Sequence, residues 1–241
     1  MQYGLFIIIG ILLVIGAMIK VREGLQVSSL FTSIYYINLD KRPHKRFQIV
    51  AQLNPLKHLT SDIIRVSAID GTRLRSMEPQ IVSGQGVADL SNPSKKFGLS
   101  LTKGAVGCAM SHKMIWEDVV QNKKKLVLVV EDDAVILPDF RKKISSLISE
   151  LPPQWDILYL GSSQYTIEKS ISPHLARPSR IYGLFAYVIN WQGAARLLNQ
   201  CFPLHYQLDT ELWTHFPTLK PLMAIPFIIA EKKGKSDIQI K

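Results

Sequence analysis

From Ile34 onward, dense apolar runs alternate with stretches whose apolar positions recur every three or four residues, a pattern that predicts strands and helices in turn. Ile34-Tyr35-Tyr36-Ile37-Asn38-Leu39 is rich in β-branched and aromatic residues and stops at Asp40, as a strand would. Pro43 suits the first turn of a helix, with Phe47, Val50 and Ala51 as its apolar face. Residues 62–69 read as a second strand closed by the Asp70-Gly71 turn. Residues 72–103 show little periodicity and are broken by Gly84, Gly86, Pro93 and Gly98, which predicts a long surface excursion. A helix is expected over 105–122 and a buried parallel strand over 126–130. An amphipathic helix is marked by Phe140, Ile144, Leu147, Ile148 and Leu151. Residues 156–160 and 184–190 add two strands, the second leading into a helix through 193–198. The alternation predicts an α/β fold with a mostly parallel central sheet, forming one domain over residues 34–241.

Ahead of that domain, residues 5–19 are apolar apart from glycines, and charge begins only at Lys20, Arg22 and Glu23. Nothing basic precedes the run, and residues 21–25 make a poor cleavage context for a signal peptide. The expectation is a single-pass, uncleaved transmembrane anchor over residues 1–23, helped across a bilayer by a snorkelling lysine, with a short stem over 24–33. The flanking charges favour a cytosolic domain by the positive-inside rule. The lack of an Asn-x-Ser/Thr acceptor agrees, since Asn92 is followed by proline.

Composition narrows the class. A chain of 241 residues with 47% hydrophobic and 20% charged content is long and apolar enough for a packed core. Two cysteines, Cys108 and Cys201, cannot staple it, so the core itself must hold the fold. The formal net charge of +10 suits an anionic partner. Zinc-finger spacing and aromatic-interleaved basic strands are missing, so nucleic acid is not the expected one, and no Gly-rich Lys-Ser/Thr phosphate loop is present.

The chemistry concentrates where Leu126-Val127-Leu128-Val129-Val130 runs into Glu131-Asp132-Asp133. Ligands of open α/β sheets bind outside the carboxyl ends of strands. Strand alternation would point Glu131 and Asp133 one way and Asp132 the other. Clustered carboxylates repel unless a cation lies between them, and hard oxygen ligands select magnesium, manganese or calcium. The competing reading is a strand-end turn whose acids cap the next helix.

Around this triplet the sequence resembles glycosyltransferase family 25, which contains bacterial lipooligosaccharide galactosyltransferases and collagen galactosyltransferases. The resemblance runs through the segment from Ile34 to Arg46 with its Asn38-Leu39-Asp40-Lys41-Arg42 turn, then Gly104-Ala105-Val106-Gly107-Cys108-Ala109-Met110-Ser111-His112 with Ile115-Trp116, and the acids. It continues in Trp155-Asp156, Tyr159-Leu160-Gly161, Ala186-Tyr187, Gly193-Ala194 and Ser236-Asp237-Ile238. Where family members often carry an acid after the first glycine, this chain has Ala105, and Val130 replaces a common leucine.

The resemblance implies a GT-A-like nucleotide-sugar fold, a UDP-galactose or UDP-glucose donor, Mn2+ or Mg2+, and a glycan, lipid-linked or protein acceptor. In that picture Asp133 holds the metal, while Glu131 reaches the metal or the donor ribose and Asp132 borders the donor. Arg42 and Arg46 would grip donor phosphate, and Asn38 and Asp40 the nucleoside, with a solvated helix residue as the alternative for Arg46. His112 shares a helix face with Cys108, Ile115 and Val119, so it is either a satisfied core residue or, with Ser111, a contact of the donor or metal site. An inverting transfer needs a general base, for which Asp209 and Glu211 are the candidates; both would equally suit the start of a short helix. Asp156 reads as structural. Anchored glycosyltransferases often face a secretory lumen, which leaves the topology open, and a catalytically silent carbohydrate-binding protein with the same fold is the other functional class.

Overall fold

The computed structural model describes residues 29–91 and 99–232. The expected anchor and most of the stem fall outside them, and no helix among the described residues is long and apolar enough to cross a membrane.

The strands and helices follow the apolar pattern closely. Strand β1 (Ser33–Asn38) is followed by helix α1 (Pro43–Leu53), with Pro43 in its first turn. The buried face of α1 is Ile49 and Leu53, one turn apart, and Phe47 stands 84% exposed rather than forming the core face. After a 3-10 segment, Asn54–Leu59, strand β2 (Ile63–Ser67) lies parallel to β1. Asp70 caps the 3-10 turn Gly71–Arg73 through Thr72 N. The segment expected to be an excursion contains helix α2 (Gly84–Ser91), and Val82 bridges Leu204. Buried Val82 and Leu101 dock it on the core, which periodicity missed because isolated anchors have no period.

Helix α3 (Lys103–Gln121) begins at Thr102, whose hydroxyl accepts Ala105 N at 3.0 Å. It leads to β3 (Val127–Glu131), β4 (Ala134–Ile136) and helix α4 (Phe140–Ser149). Then come β5 (Ile157–Tyr159), the hairpin β6 (Gln164–Ser170) and β7 (Leu175–Tyr182), and β8 (Ala186–Ile189). Helices α5 (Trp191–Gln200) and α6 (Leu208–Thr214) and strands β9 (Pro221–Ala224) and β10 (Ile229–Glu231) complete the described chain.

The main sheet has eight strands in the order β2-β1-β3-β8-β5-β9-β7-β6. It is mixed rather than mostly parallel. The β1–β2, β1–β3 and β5–β9 pairs are parallel, whereas β8 lies antiparallel between β3 and β5, and β7 is antiparallel to β6 and β9. An apolar run buried on both faces carries no sign of its direction, so β8 could not be assigned from pattern alone.

The sheet separates two apolar layers. Tyr35, Val127, Val129 and Tyr187 face α3 and α5, while Ile34, Leu128, Val130 and Val188 face α1 and α4. This two-sided burial explains why β3 has no polar alternation until Glu131. At the edge of the α3 layer, backbone meets backbone: a Cβ on Gly107 would lie 2.4 Å from Ile69 O and 2.6 Å from Gly71 N. That close approach sets Cys108, Ser111 and His112 beside the ends of β1, β2 and β3.

Candidate active site

A cavity of about 380 Å³ opens at the carboxyl ends of β1, β2 and β3, a volume within the range of small-molecule sites. Its acidic wall is the end of β3. The strand stops at Glu131, and the chain turns through Asp132 and Asp133 into β4, so all three carboxylates line the same cavity. The expected alternation fails at Asp132 because the pleat has already ended there. Asp132 accepts Asn38 Nδ2 at 2.7 Å, and Lys45 Nζ lies 3.3 Å from both Asp132 Oδ1 and Asp133 Oδ2. A fourth acid, Glu231, arrives on β10, which pairs Glu231 with Ala134.

These acids are under-compensated. Burial, then the charge of Glu131, pushes the Asp133 carboxyl up to about 6, with Lys45 opposing the shift. Burial and Glu131 likewise raise Glu231. Asp133 Oδ1 is buried with no hydrogen-bond partner. A buried lone pair without a donor, among three further carboxylates, fits a hard divalent cation: Asp133 and Glu131 would hold it, and the ion would neutralise phosphate charge when bound.

Glu131 is itself held from behind. His112 is fully buried, with Nε2 at 3.2 Å from Glu131 Oε1 and Nδ1 at 3.0 Å from Tyr187 Oη. Trp116 Nε1 donates to the same Tyr187 oxygen at 2.9 Å. One tautomer satisfies every group: Tyr187 O–H donates to His112 Nδ1, and His112 Nε2–H donates to Glu131. Trp116, Tyr187 and His112 thereby form a buried relay that fixes the carboxylate.

Beside the acids the lining is basic, with Lys41, Arg42 and Lys45 entering from the β1–α1 turn and α1. Lys41 pairs with Asp70 at 2.8 Å, and with Thr72 it holds the Asp70 carboxyl down at about 2. Acids and cations side by side in one cavity suit a metal-bound diphosphate.

The chain's similarities agree with this geometry. The model of glycosyltransferase family 25 (LPS biosynthesis protein) matches residues 31–212. This chain belongs to glycosyltransferase family 25. Among its relatives, the procollagen lysyl hydroxylase and glycosyltransferase of Acanthamoeba polyphaga mimivirus is 32% identical over 182 residues, covering 70% of this chain and 20% of that one. The probable inactive glycosyltransferase 25 family member 3 of Rattus norvegicus is 32% identical over 189 residues, 75% of this chain and 32% of the relative. Procollagen galactosyltransferase 1 of Danio rerio is 28% identical over 222 residues, 83% of this chain and 36% of the relative. The chain thus spans about a third or less of the length of these relatives.

Within the family 25 match, the structure sorts the expected site residues. Glu131, Asp132, Asp133, Asn38, Arg42 and Ser111 line the cavity, and His112 stands directly behind Glu131. Asn38 and Ser111 are already engaged: Asn38 joins Asp132 to Arg42 O, and Ser111 joins Gly107 O to Ile69 N. Asp40 sits beside the cavity in a smaller depression, paired with Arg65, which holds its carboxyl low. Arg46 is exposed and does not line the cavity.

Neither candidate base is among the residues lining the cavity, and the two are engaged differently. Asp209 accepts Gly183 N at 3.3 Å and Thr210 N at 2.8 Å; burial raises its carboxyl and the charge of Glu131 adds to the rise. Glu211 is buried away from the cavity lining and stitches a loop, accepting His205 N at 2.8 Å and Tyr206 N at 2.9 Å. Asp156, also buried, pairs with Arg196 and accepts Lys220 N at 2.8 Å, the structural role expected of it. Lys45, Asp70 and Glu231 were not anticipated. Lys45 lay within a basic cluster that reads as a solvated helix face, and Glu231 reaches the site only through the β4–β10 pairing.

Proposed function

We propose that the chain transfers a hexose, galactose or glucose, from a UDP-sugar to a hydroxyl of a glycan, lipid-linked or protein acceptor. Asp133 and Glu131 hold Mn2+ or Mg2+, the ion that counters the charge of the departing diphosphate. The observation that carries this reading is the buried, partnerless Asp133 Oδ1 within an acid cluster whose cavity also holds Lys41, Arg42 and Lys45. Lys45 bridges Asp132 and Asp133, so it holds the acids together when the ion is absent and turns to donor phosphate when the ion binds. Arg42 adds a guanidinium fork to the same wall. Asp70 or Asn38 contacts the nucleoside at the ends of β1 and β2. Asp209, with its raised carboxyl, takes the acceptor hydroxyl's proton as that oxygen forms its bond to the anomeric carbon and the diphosphate leaves. The membrane anchor over residues 1–23 remains part of this reading.

A second reading has its own support, because a relative matching 75% of this chain is named probably inactive. In that reading the domain binds a glycan without transferring a sugar. Incubation with labelled UDP-hexoses and Mn2+ separates the two. The proposal expects UDP release, increased by acceptor and abolished in Asp133→Asn and Asp209→Asn. Absence of release by folded protein across UDP-galactose and UDP-glucose would leave the non-catalytic reading standing.

A further inference from the structure

The cavity holds a second constellation of ligand atoms. Cys108 Sγ, a His112 ring nitrogen and a Glu131 carboxylate oxygen lie within 4.8 Å of one another. Cys108 and His112 are one helical turn apart on α3, so their side chains point to the same place, and Cys108 lines the cavity from which an ion would enter. We propose that these three residues form a site for a soft divalent cation of the Zn2+ class, distinct from the hard-cation site at Asp133 but sharing Glu131 with it.

The geometry suits that ion. Tetrahedral zinc with nitrogen and oxygen ligands at about 2.0–2.1 Å holds them roughly 3.3 Å apart. His112 Nε2 and Glu131 Oε1 already stand 3.2 Å apart. Cys108 Sγ stands within 4.8 Å of the other two ligand atoms, and its thiol proton leaves to solvent as the S–Zn bond forms. The histidine is backed as a metal-bound imidazole requires: its ring proton shifts to Nδ1 and is donated to Tyr187 Oη, at the cost of the acceptor that Tyr187 O–H had. Thiolate and imidazole favour zinc over magnesium or manganese, whereas the carboxylates around Asp133 favour the reverse. The consequence for catalysis rests on the function proposed above: zinc draws Glu131 out of the donor site, so it inhibits transfer and Mn2+ competes against it.

The binding claim is tested without any activity measurement. The full chain is alkylated with a maleimide in the presence of Zn2+, Mn2+ or no metal, and Cys108 modification is followed by mass spectrometry. Buried Cys201 in the same molecule serves as the slow reference. Micromolar Zn2+ is expected to slow Cys108 alkylation about tenfold, with Mn2+ leaving it unchanged, because a coordinated sulfur is a poor nucleophile. Cobalt substitution is expected to give a thiolate-to-metal charge-transfer band that Cys108→Ser lacks. Glu131→Gln and His112→Gln are expected to lose the protection, and Glu131→Gln, at a part-exposed position, supplies the answer if the buried His112 variant fails to fold. Equal alkylation rates with and without Zn2+, or protection that survives Glu131→Gln, would overturn the site. A failure of UDP binding leaves these readouts intact, so the two proposals fall separately.

Discussion

Two sets of carboxylates in this fold have opposite fates. Asp156 and Glu211 are each saturated: Asp156 faces Arg196 and Lys220 N, and Glu211 takes two loop amides. Glu131, Asp132, Asp133 and Glu231 are crowded at one cavity wall, with Lys45 as the cation between two of them and Asp133 Oδ1 left without a donor. The first set stabilises the fold by satisfying backbone groups that would otherwise be buried unpaired. The second set costs stability, a cost that a bound cation would relieve. The structural acids are fully buried and paired, whereas the site acids are part-buried or exposed and one of them keeps an oxygen without a donor.

The sharpest way to break this contrast is to move the site without touching an acid. Gly107→Ala would drive a methyl to 2.4 Å from Ile69 O, a backbone atom that cannot swing aside. About 3 kcal/mol of destabilisation is expected from such overpacking. Denaturant unfolding measures it, and donor binding should weaken in parallel as α3 shifts away from Glu131. Next in size is Glu211→Ala, which leaves His205 N and Tyr206 N unpaired and should cost about 2 kcal/mol while UDP affinity of the folded protein stays unchanged. A selective loss of transfer with unaltered stability would instead make Glu211 the base.

The smallest effect has the opposite sign. Asp133 has its carboxyl raised from 3.8 to about 6, so the native state binds more protons than the unfolded state between those values. Stability contributed by the protonated form is therefore lost as pH rises through about 6. Asp133→Asn removes that penalty. With the side chain 26% exposed and partly screened, the variant should be about 1 kcal/mol more stable than the parent at pH 8 without metal, and equal to it near pH 3. Thermal unfolding across that pH range checks the sign; a variant less stable at pH 8 would mean that Asp133 is a structural acid after all.

Much of the site was legible in the sequence because its parts are local. An all-apolar strand ending in three acids needs no tertiary knowledge, and the four-residue spacing of Cys108 and His112 already puts both on one face of a helix. What pattern could not give was direction and distance. Strand β8 is buried on both faces, so its antiparallel insertion between β3 and β5 leaves no mark on its composition. Strand β6 is exposed along its whole length and has no apolar face to announce it. Phe47 looked like a core residue by spacing, yet the neighbouring frame of Ile49 and Leu53 won the packing. The tie between His112 and Glu131, and the arrival of Glu231, depend on pairing across the fold and so appear only in three dimensions.

In the proposed function Asp133 and Glu131 hold a divalent ion that receives a nucleotide diphosphate. Calorimetric titration of UDP into the intact chain, with and without Mn2+, and into Asp133→Asn, tests it most directly. Binding is expected to require Mn2+ and to disappear in the variant. UDP binding of equal strength without metal, or undiminished in Asp133→Asn, would contradict it.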